Sequence, residues 1–185
     1  MDFPQSDFWD FTLKIYGKEG VSPAVIALQD RHGLDVDILL FCCFLAATGK
    51  GRLDASDVSR ARAVADPWQR DVVNAVRIVR LKLKEGFQGT PAGLPETLRK
   101  EIFGQELAAE RIEQMMLEAA VPRAADAGKS PDARLADAAH NLAAYLKDKG
   151  VKAGAEEASH LATLARAALD AAPDAASQAI ASALR

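Results

Sequence analysis

The stretch Leu28-Gln29-Asp30-Arg31-His32-Gly33-Leu34-Asp35-Val36-Asp37 gathers carboxylates and an imidazole at what reads as a tight turn between two helices. Asp35 has the position of a helix N-cap, and Asp37 falls in the first turn, where an anion meets the positive end of the helix dipole. His32 stands beside Gly33 at the end of the preceding helix, a place that suits a donor or a cation. Asp30 breaks the pattern, because its carboxylate faces the negative end of its own helix. An acid kept there needs either open solvent or a cationic partner. The candidate partners are Arg70, Arg77 and Lys84, which recur every seven residues, with Arg80 beside them. At about 100° per residue the three fall within about 40° of one another, in a sector shared with Val73 and Leu81. Such a stripe either drapes long stems over apolar surface with the charged heads in water, or reaches a carboxylate or an anionic ligand. The expectation is an Asp30 carboxylate within salt-bridge distance of Arg77 or Arg80. Gln29, Asp30, His32, Asp35, Arg77, Arg80 and Lys84 form the candidate polar cluster. In a catalytic version Asp30 is the acid/base and the two arginines clamp an anion.

Other chemistries lack their residues. His140 and His160 have no second His or Cys at i+3 or i+4, so no zinc spacing exists, and Glu156-Glu157 beside His160 is a weak signal. Cys42 and Cys43 sit inside an apolar run, where a thiol is a small hydrophobe rather than a nucleophile, and their side chains diverge by about 100° on a helix. No phosphate-binding or dinucleotide glycine pattern appears. Met115-Met116 reads as core filler. No catalytic residue, cofactor or metal is expected.

The elements that must position this cluster all read as helices. Phe8, Phe11, Thr12 and Ile15 share a face before Gly17 and Gly20. Ser22-Pro23 reads as an N-cap followed by proline at the first helical position, for a helix that stops at Gly33. Asp35 caps the next helix, which holds the ten-residue apolar run Ile38 to Ala47. That run is about half the roughly 20 residues a bilayer needs, so it is the central buried helix. Asp54 opens a short fourth helix. Asp66-Pro67-Trp68-Gln69 combines an N-cap, a proline and a Gln at N3, and predicts the start of a fifth. Pro95 opens a sixth helix, through Leu98, Ile102, Leu107, Ile112 and Met115, which Gly104 could bend. Ser130-Pro131 caps a seventh helix, an eighth carries Leu161, Leu164, Ala165 and Ala168 and is interrupted by Pro173, and a last one carries Ile180 and Leu184.

Composition divides the chain. Ten of eleven aromatic residues lie at or before Phe103, and 23 of the 62 residues from Ala124 onward are alanine. The expected organisation is an aromatic-rich core domain over 1–121, a linker over 122–131 and an Ala-rich helical region over 132–185. The fold class is all-α, a compact multi-helix bundle with an appended Ala-rich C-terminal helical hairpin. The chain has 185 residues, 49% of them apolar and 26% charged, and a net charge of −3. That balance argues against nucleic acid as a partner and against disorder. The opening Met1-Asp2-Phe3-Pro4-Gln5 lacks a secretory pattern, no segment is long and apolar enough for a membrane, and the cysteine usage suits a reducing cytoplasm.

Phe8-Trp9-x-Phe11, Tyr16, Leu28-Gln29-Asp30-x-x-Gly33-x-Asp35-Val36-x-x-Leu39-Leu40, Trp68, Val72-Val73 and Arg77-x-x-Arg80-x-x-Leu83-Lys84 together resemble a proteobacterial family of small uncharacterised proteins, catalogued as a domain of unknown function. The resemblance covers roughly residues 6–90. It implies no activity or substrate, but places Asp30, Asp35, Arg77 and Arg80 in the family's shared part. A proline expected before the first arginine, near Ala75 or Val76, is missing. The function these observations favour is a bacterial, cytoplasmic protein-interaction or accessory module without catalysis, binding a protein partner or itself. The alternative is a small-ligand-binding protein or enzyme with its site between the Asp30–His32–Asp35 turn and Arg77/Arg80.

Overall fold

The computed structural model describes residues 2–185, and among these every regular element is helical. In chain order they are α1 (Asp7–Tyr16), α2 (Val21–His32), α3 (Val36–Ala47), α4 (Ala55–Trp68), a π-helical turn (Gln69–Val73), α5 (Asn74–Glu85), α6 (Leu94–Ala120), α7 (Pro131–Asp148), α8 (Ala155–Leu169) and α9 (Pro173–Ala183).

The apolar run forms α3, and its side chains from Asp37 through Ala46 are all buried. A helix apolar on every side must be covered on every side. Here α1, α2, α4, α6, α7 and α8 supply that cover. Phe8, Phe41 and Phe44 are fully enclosed, with the Phe8 and Phe44 rings stacked at 4.8 Å between centroids. The same continuous core includes Leu142, Tyr145 and Leu146 of α7, Leu161 and Leu164 of α8, and Ile180 of α9. Asn141 ties α7 to the end of α3 in three directions. Its Oδ1 accepts from Leu53 N–H at 2.7 Å, and its Nδ2 donates to the Cys42 and Gly51 carbonyls at 3.2 and 3.0 Å.

Several predicted boundaries hold for the predicted reasons. Asp35 caps α3 through Oδ1, Asp54 and Asp57 form a capping box on α4, and Ser130 caps α7. Gly33 ends α2 in the left-handed region, its N–H donating to the Gln29 carbonyl at 2.8 Å. Two starts differ. The second helix begins at Val21 after Gly20, so Ser22 lies inside it, and Pro23 sits within the first turn, where an N–H has no partner anyway.

Asp66-Pro67 starts no helix: Pro67 lies inside α4, which passes through the π-turn into α5 as one rod. Proline removes one N–H and crowds the carbonyl four residues back. The rod accommodates the disturbance with a widened turn, in which Asn74 N–H reaches the Gln69 carbonyl five residues back. Asp66, freed from capping, accepts from Arg62 one turn earlier at 2.6 Å.

Candidate functional site

The π-turn faces the α2–α3 turn across a cleft of about 470 Å³. Gln29, Asp30, Gly33, Leu34 and Asp35 line one wall, and Asp66, Gln69, Arg70, Asn74 and Arg77 the other, with Lys149 from the end of α7 beside them. Four of the seven predicted residues therefore share one cleft: Gln29, Asp30, Asp35 and Arg77. The expected Asp30–arginine pair does not form. Asp30 is exposed and has no ion pair among the described residues; water solvates it, which makes its place against the helix dipole cheap. The predicted basic stripe is also broken. The widened π-turn rotates the chain by less than about 100° per residue, which shifts Arg70 out of line with Arg77. Arg70, largely exposed at the cleft, pairs with its neighbour Asp71. Lys84 is exposed on α5.

The arginines instead meet α6. Arg77 donates through Nε to Glu106 Oε1 at 2.7 Å and through a second nitrogen to Glu110 Oε1 at 2.9 Å. Arg80 forks onto both Glu106 oxygens and lies over the Phe103 ring at 5.4 Å. Burial opposes the charge on Glu106, yet hydrogen bonds from Arg80 and Arg77 outweigh it and hold the carboxyl below its usual range. His32 turns away from the cleft to α8, where its Nε2 lies 3.0 Å from Glu157 Oε1, an oxygen that also accepts from Arg31 at 3.0 Å.

Behind Asp35 lies a set of acids of which the sequence singles out Asp35 and Asp37 but not Glu113. One carboxylate oxygen from each of Asp35, Asp37 and Glu113 lies within 4.8 Å of the others, and all three residues are buried. Asp35 Oδ1 is spent on the α3 cap, accepting from Asp37 N–H at 2.8 Å. Gln114 Nε2 donates to Asp37 Oδ1 at 2.7 Å and to Thr12 Oγ1 at 3.1 Å. Asp35 Oδ2, both Glu113 oxygens and Gln114 Oε1 are buried without a partner. Burial, with Asp35 next to it, pushes the Glu113 carboxyl up to about 12. Burial likewise raises Asp35, and burial with the Asp35 charge raises Asp37 well above the carboxylate range. The signal was present in the spacing. Glu106, Glu110 and Glu113 follow i, i+4, i+7, and Glu106 and Glu113 alternate with Ala109 and Leu117 on the buried face of α6. These acids stand where the Leu and Met pattern of α6 leads one to expect apolar residues.

The family described as "Protein of unknown function (DUF2390)" matches residues 7–117, from the first residue of α1 to Leu117 near the end of α6. Neither the curated proteins nor the solved structures include a match. The matched span holds the α2–α3 turn, the π-turn, both arginines and the acids of α6. The chain belongs to this family.

Proposed function

We propose that this chain is an interaction module that assembles through its α5–α6 hairpin, and that the surface it docks on is the same hairpin of a second copy. The observation that carries the reading is apolar surface left uncovered there. Ile78, Val79, Leu81, Phe87, Leu94, Leu98 and Phe103 are each 45 to 62% exposed. Helix α5 has no buried residue at all and packs against α6 and the π-turn. Ile78 and Leu81 are spaced i, i+3 and Leu94 and Leu98 i, i+4, so each pair shares a helix face. Exposed apolar groups gathered in this way mark contact surfaces. Charges of both signs lie along the same hairpin, at Lys82, Glu85, Glu96, Lys100 and Glu101. Lys82 already pairs with Glu85 and Glu96 with Arg99. Lys100 and Glu101 hold no ion pair among the described residues and can meet their counterparts on a copy related by a two-fold axis, so that two hairpins complete a four-helix bundle. The reading places the module in a reducing cytoplasm, consistent with the buried free thiols of Cys42 and Cys43, and its net charge of −3 argues against a polyanionic partner. Sedimentation velocity tests it. Wild type is expected to dimerise with rising concentration, and Ile78→Glu with Leu81→Glu to remain monomeric. A wild-type monomer at every concentration overturns the reading.

A specific observation favours a second reading, a small polar ligand in the cleft. Asp35 lines the cleft while its Oδ2 has no partner, and Asp30 and Lys149 hold no ion pair among the described residues. Ligand-observed NMR with a panel of small carboxylic acids and amines is expected to find binders that Asn74→Leu and Lys149→Met abolish. Binding indifferent to both changes rejects this site.

A further inference from the structure

The acid trio is poor in positive charge for its burial. Asp35, Asp37 and Glu113 are at least nine-tenths buried, and Glu113 is fully so. The guanidinium whose charge acts on Asp37, that of Arg77, is already committed to Glu106 and Glu110. Buried carboxylates are normally paired, hydrogen-bonded or bound to a cation. Here four oxygens have none of these: Asp35 Oδ2, Glu113 Oε1 and Oε2, and Gln114 Oε1. A proton shared between Glu113 and Asp35 satisfies at most two of them.

We infer that Asp35, Asp37 and Glu113 form a binding site for one hard divalent cation. The inference is independent of the hairpin interface and stands on its own geometry. One oxygen from each carboxylate lies within 4.8 Å of the others. Ligand atoms at about 2.0–2.6 Å from a common ion are separated by no more than about 5 Å, so one ion can take all three. Glu113 supplies the independent sign, a fully buried side chain aimed at the other two acids and bonded to nothing. Gln114 is placed to assist, since its amide nitrogen on Asp37 keeps the unpartnered carbonyl oxygen beside the trio. The donor set is all oxygen. No His or Cys joins it, which favours Mg²⁺, Mn²⁺ or Ca²⁺ over zinc or copper. Asp35 belongs to both the trio and the wall of the cleft, which gives a hydrated ion its way in. The fold also explains how the site is held. Two ligands are locked by the N-terminus of α3, whose dipole favours anions, and the third comes from the middle of α6, which packs across it.

The test uses the full chain stripped with EDTA and titrated with Mn²⁺, the free aquo ion being counted by electron paramagnetic resonance. One Mn²⁺ per chain is expected, with Mg²⁺ or Ca²⁺ competing. Glu113→Gln keeps the shape but removes a ligand charge, and should weaken uptake roughly tenfold or more, as should Asp37→Asn. Glu156→Gln, at an exposed acid outside the trio, should leave uptake unchanged. Should Glu113→Gln fail to fold, wild type still decides: bound Mn²⁺ must broaden the NMR signals of Leu34 and Tyr145 before those of α9. No uptake at millimolar Mn²⁺ overturns the site, as does uptake that survives Glu113→Gln. Uptake that leaves Leu34 and Tyr145 sharp overturns it too.

Discussion

Tyr145 and Asp35 show how tightly single groups are accounted for near the cleft. The Asp35 backbone N–H donates to the Tyr145 hydroxyl at 2.8 Å, in a place that water does not reach. Burial pushes the Tyr145 hydroxyl far above its ordinary range, so it stays neutral and keeps this role at any working pH. Tyr145→Phe removes the acceptor and leaves a buried N–H unpaired, at a cost of about 1–3 kcal/mol in denaturant unfolding. A second residue-scale expectation concerns pH. The Glu157 carboxyl is held far below its usual range by His32 and then by Arg31. A depressed folded-state pKa contributes stability that is present above the unfolded value of about 4.3 and fades as pH falls below it. The melting temperature of wild type should therefore drop below about pH 4 more steeply than that of Glu157→Gln, whose missing carboxyl cannot be protonated. Parallel acid profiles for the two proteins would remove Glu157 from the account. Gly49 gives a third. Its φ is +74°, and a Cβ there would come within 2.4 Å of the Asp126 carbonyl oxygen. Gly49→Ala therefore strains the backbone and pushes on a backbone atom at once, and should destabilise by more than the roughly 1 kcal/mol of an ordinary left-handed glycine replacement.

The helices were legible in the sequence wherever their ends carry local chemistry, as at Asp35, Asp54 and Ser130. Those side chains satisfy backbone groups within three residues, and the cap forms where no other group claims the side-chain oxygen. Asp66-Pro67-Trp68-Gln69 has the same lettering and a different outcome, because the neighbours of α4 decide it. Arg62 claims the Asp66 carboxylate, and Trp68 Nε1 donates to the Ala109 carbonyl of α6 at 3.0 Å, which holds the chain in helix through the proline. The candidate site was half legible for a related reason. Spacing placed Asp35 and Arg77 on facing elements, but the π-turn is invisible in a count of 100° per residue, and it reassigned the arginines. Their true partners, Glu106 and Glu110, lie across a hairpin whose register depends on that turn. The proline carries an expectation of its own. Pro67→Ala returns an N–H to the Ala63 carbonyl and removes a ring clash worth up to about 3 kcal/mol, a gain reduced by the looser unfolded chain. It should stabilise the protein in thermal unfolding while altering the cleft wall that Gln69, Arg70 and Asn74 form. Unchanged or lowered stability would mean that the π-turn is built by packing on α6 rather than by the proline.

At the scale of the whole molecule, the Ala-rich residues share the core with α3. Alanine on α7 and α8 allows close approach. Ala138, Ala139 and Ala165 are buried where a larger side chain would hold the helices apart, and Leu142, Tyr145 and Leu164 fill the spaces between them. The connecting segment is pinned as well: Asp126 N–H donates to the Gly49 carbonyl at 3.0 Å, Arg123 pairs with Asp57, and Arg134 reaches the Ala47 carbonyl at 2.9 Å. A chain ending near Ala124 would keep the Arg123–Asp57 pair but lose the Asp126 and Arg134 contacts. It would expose the face of α3 that α7 and α8 cover, strip the Asn141 bonds from Cys42, Gly51 and Leu53, and leave the Asp35 N–H without the Tyr145 oxygen. Each buried Leu or Tyr removed withdraws on the order of 2 kcal/mol of apolar burial, against a total stability that for domains of this kind is only about 5–15 kcal/mol. The truncated chain is therefore expected to keep helical far-ultraviolet circular dichroism but lose a cooperative thermal transition and bind ANS. A sharp transition in the truncated chain, with a modestly lowered midpoint, would show that residues 1–121 form a domain in their own right and that α7 to α9 dock on it as a separable hairpin.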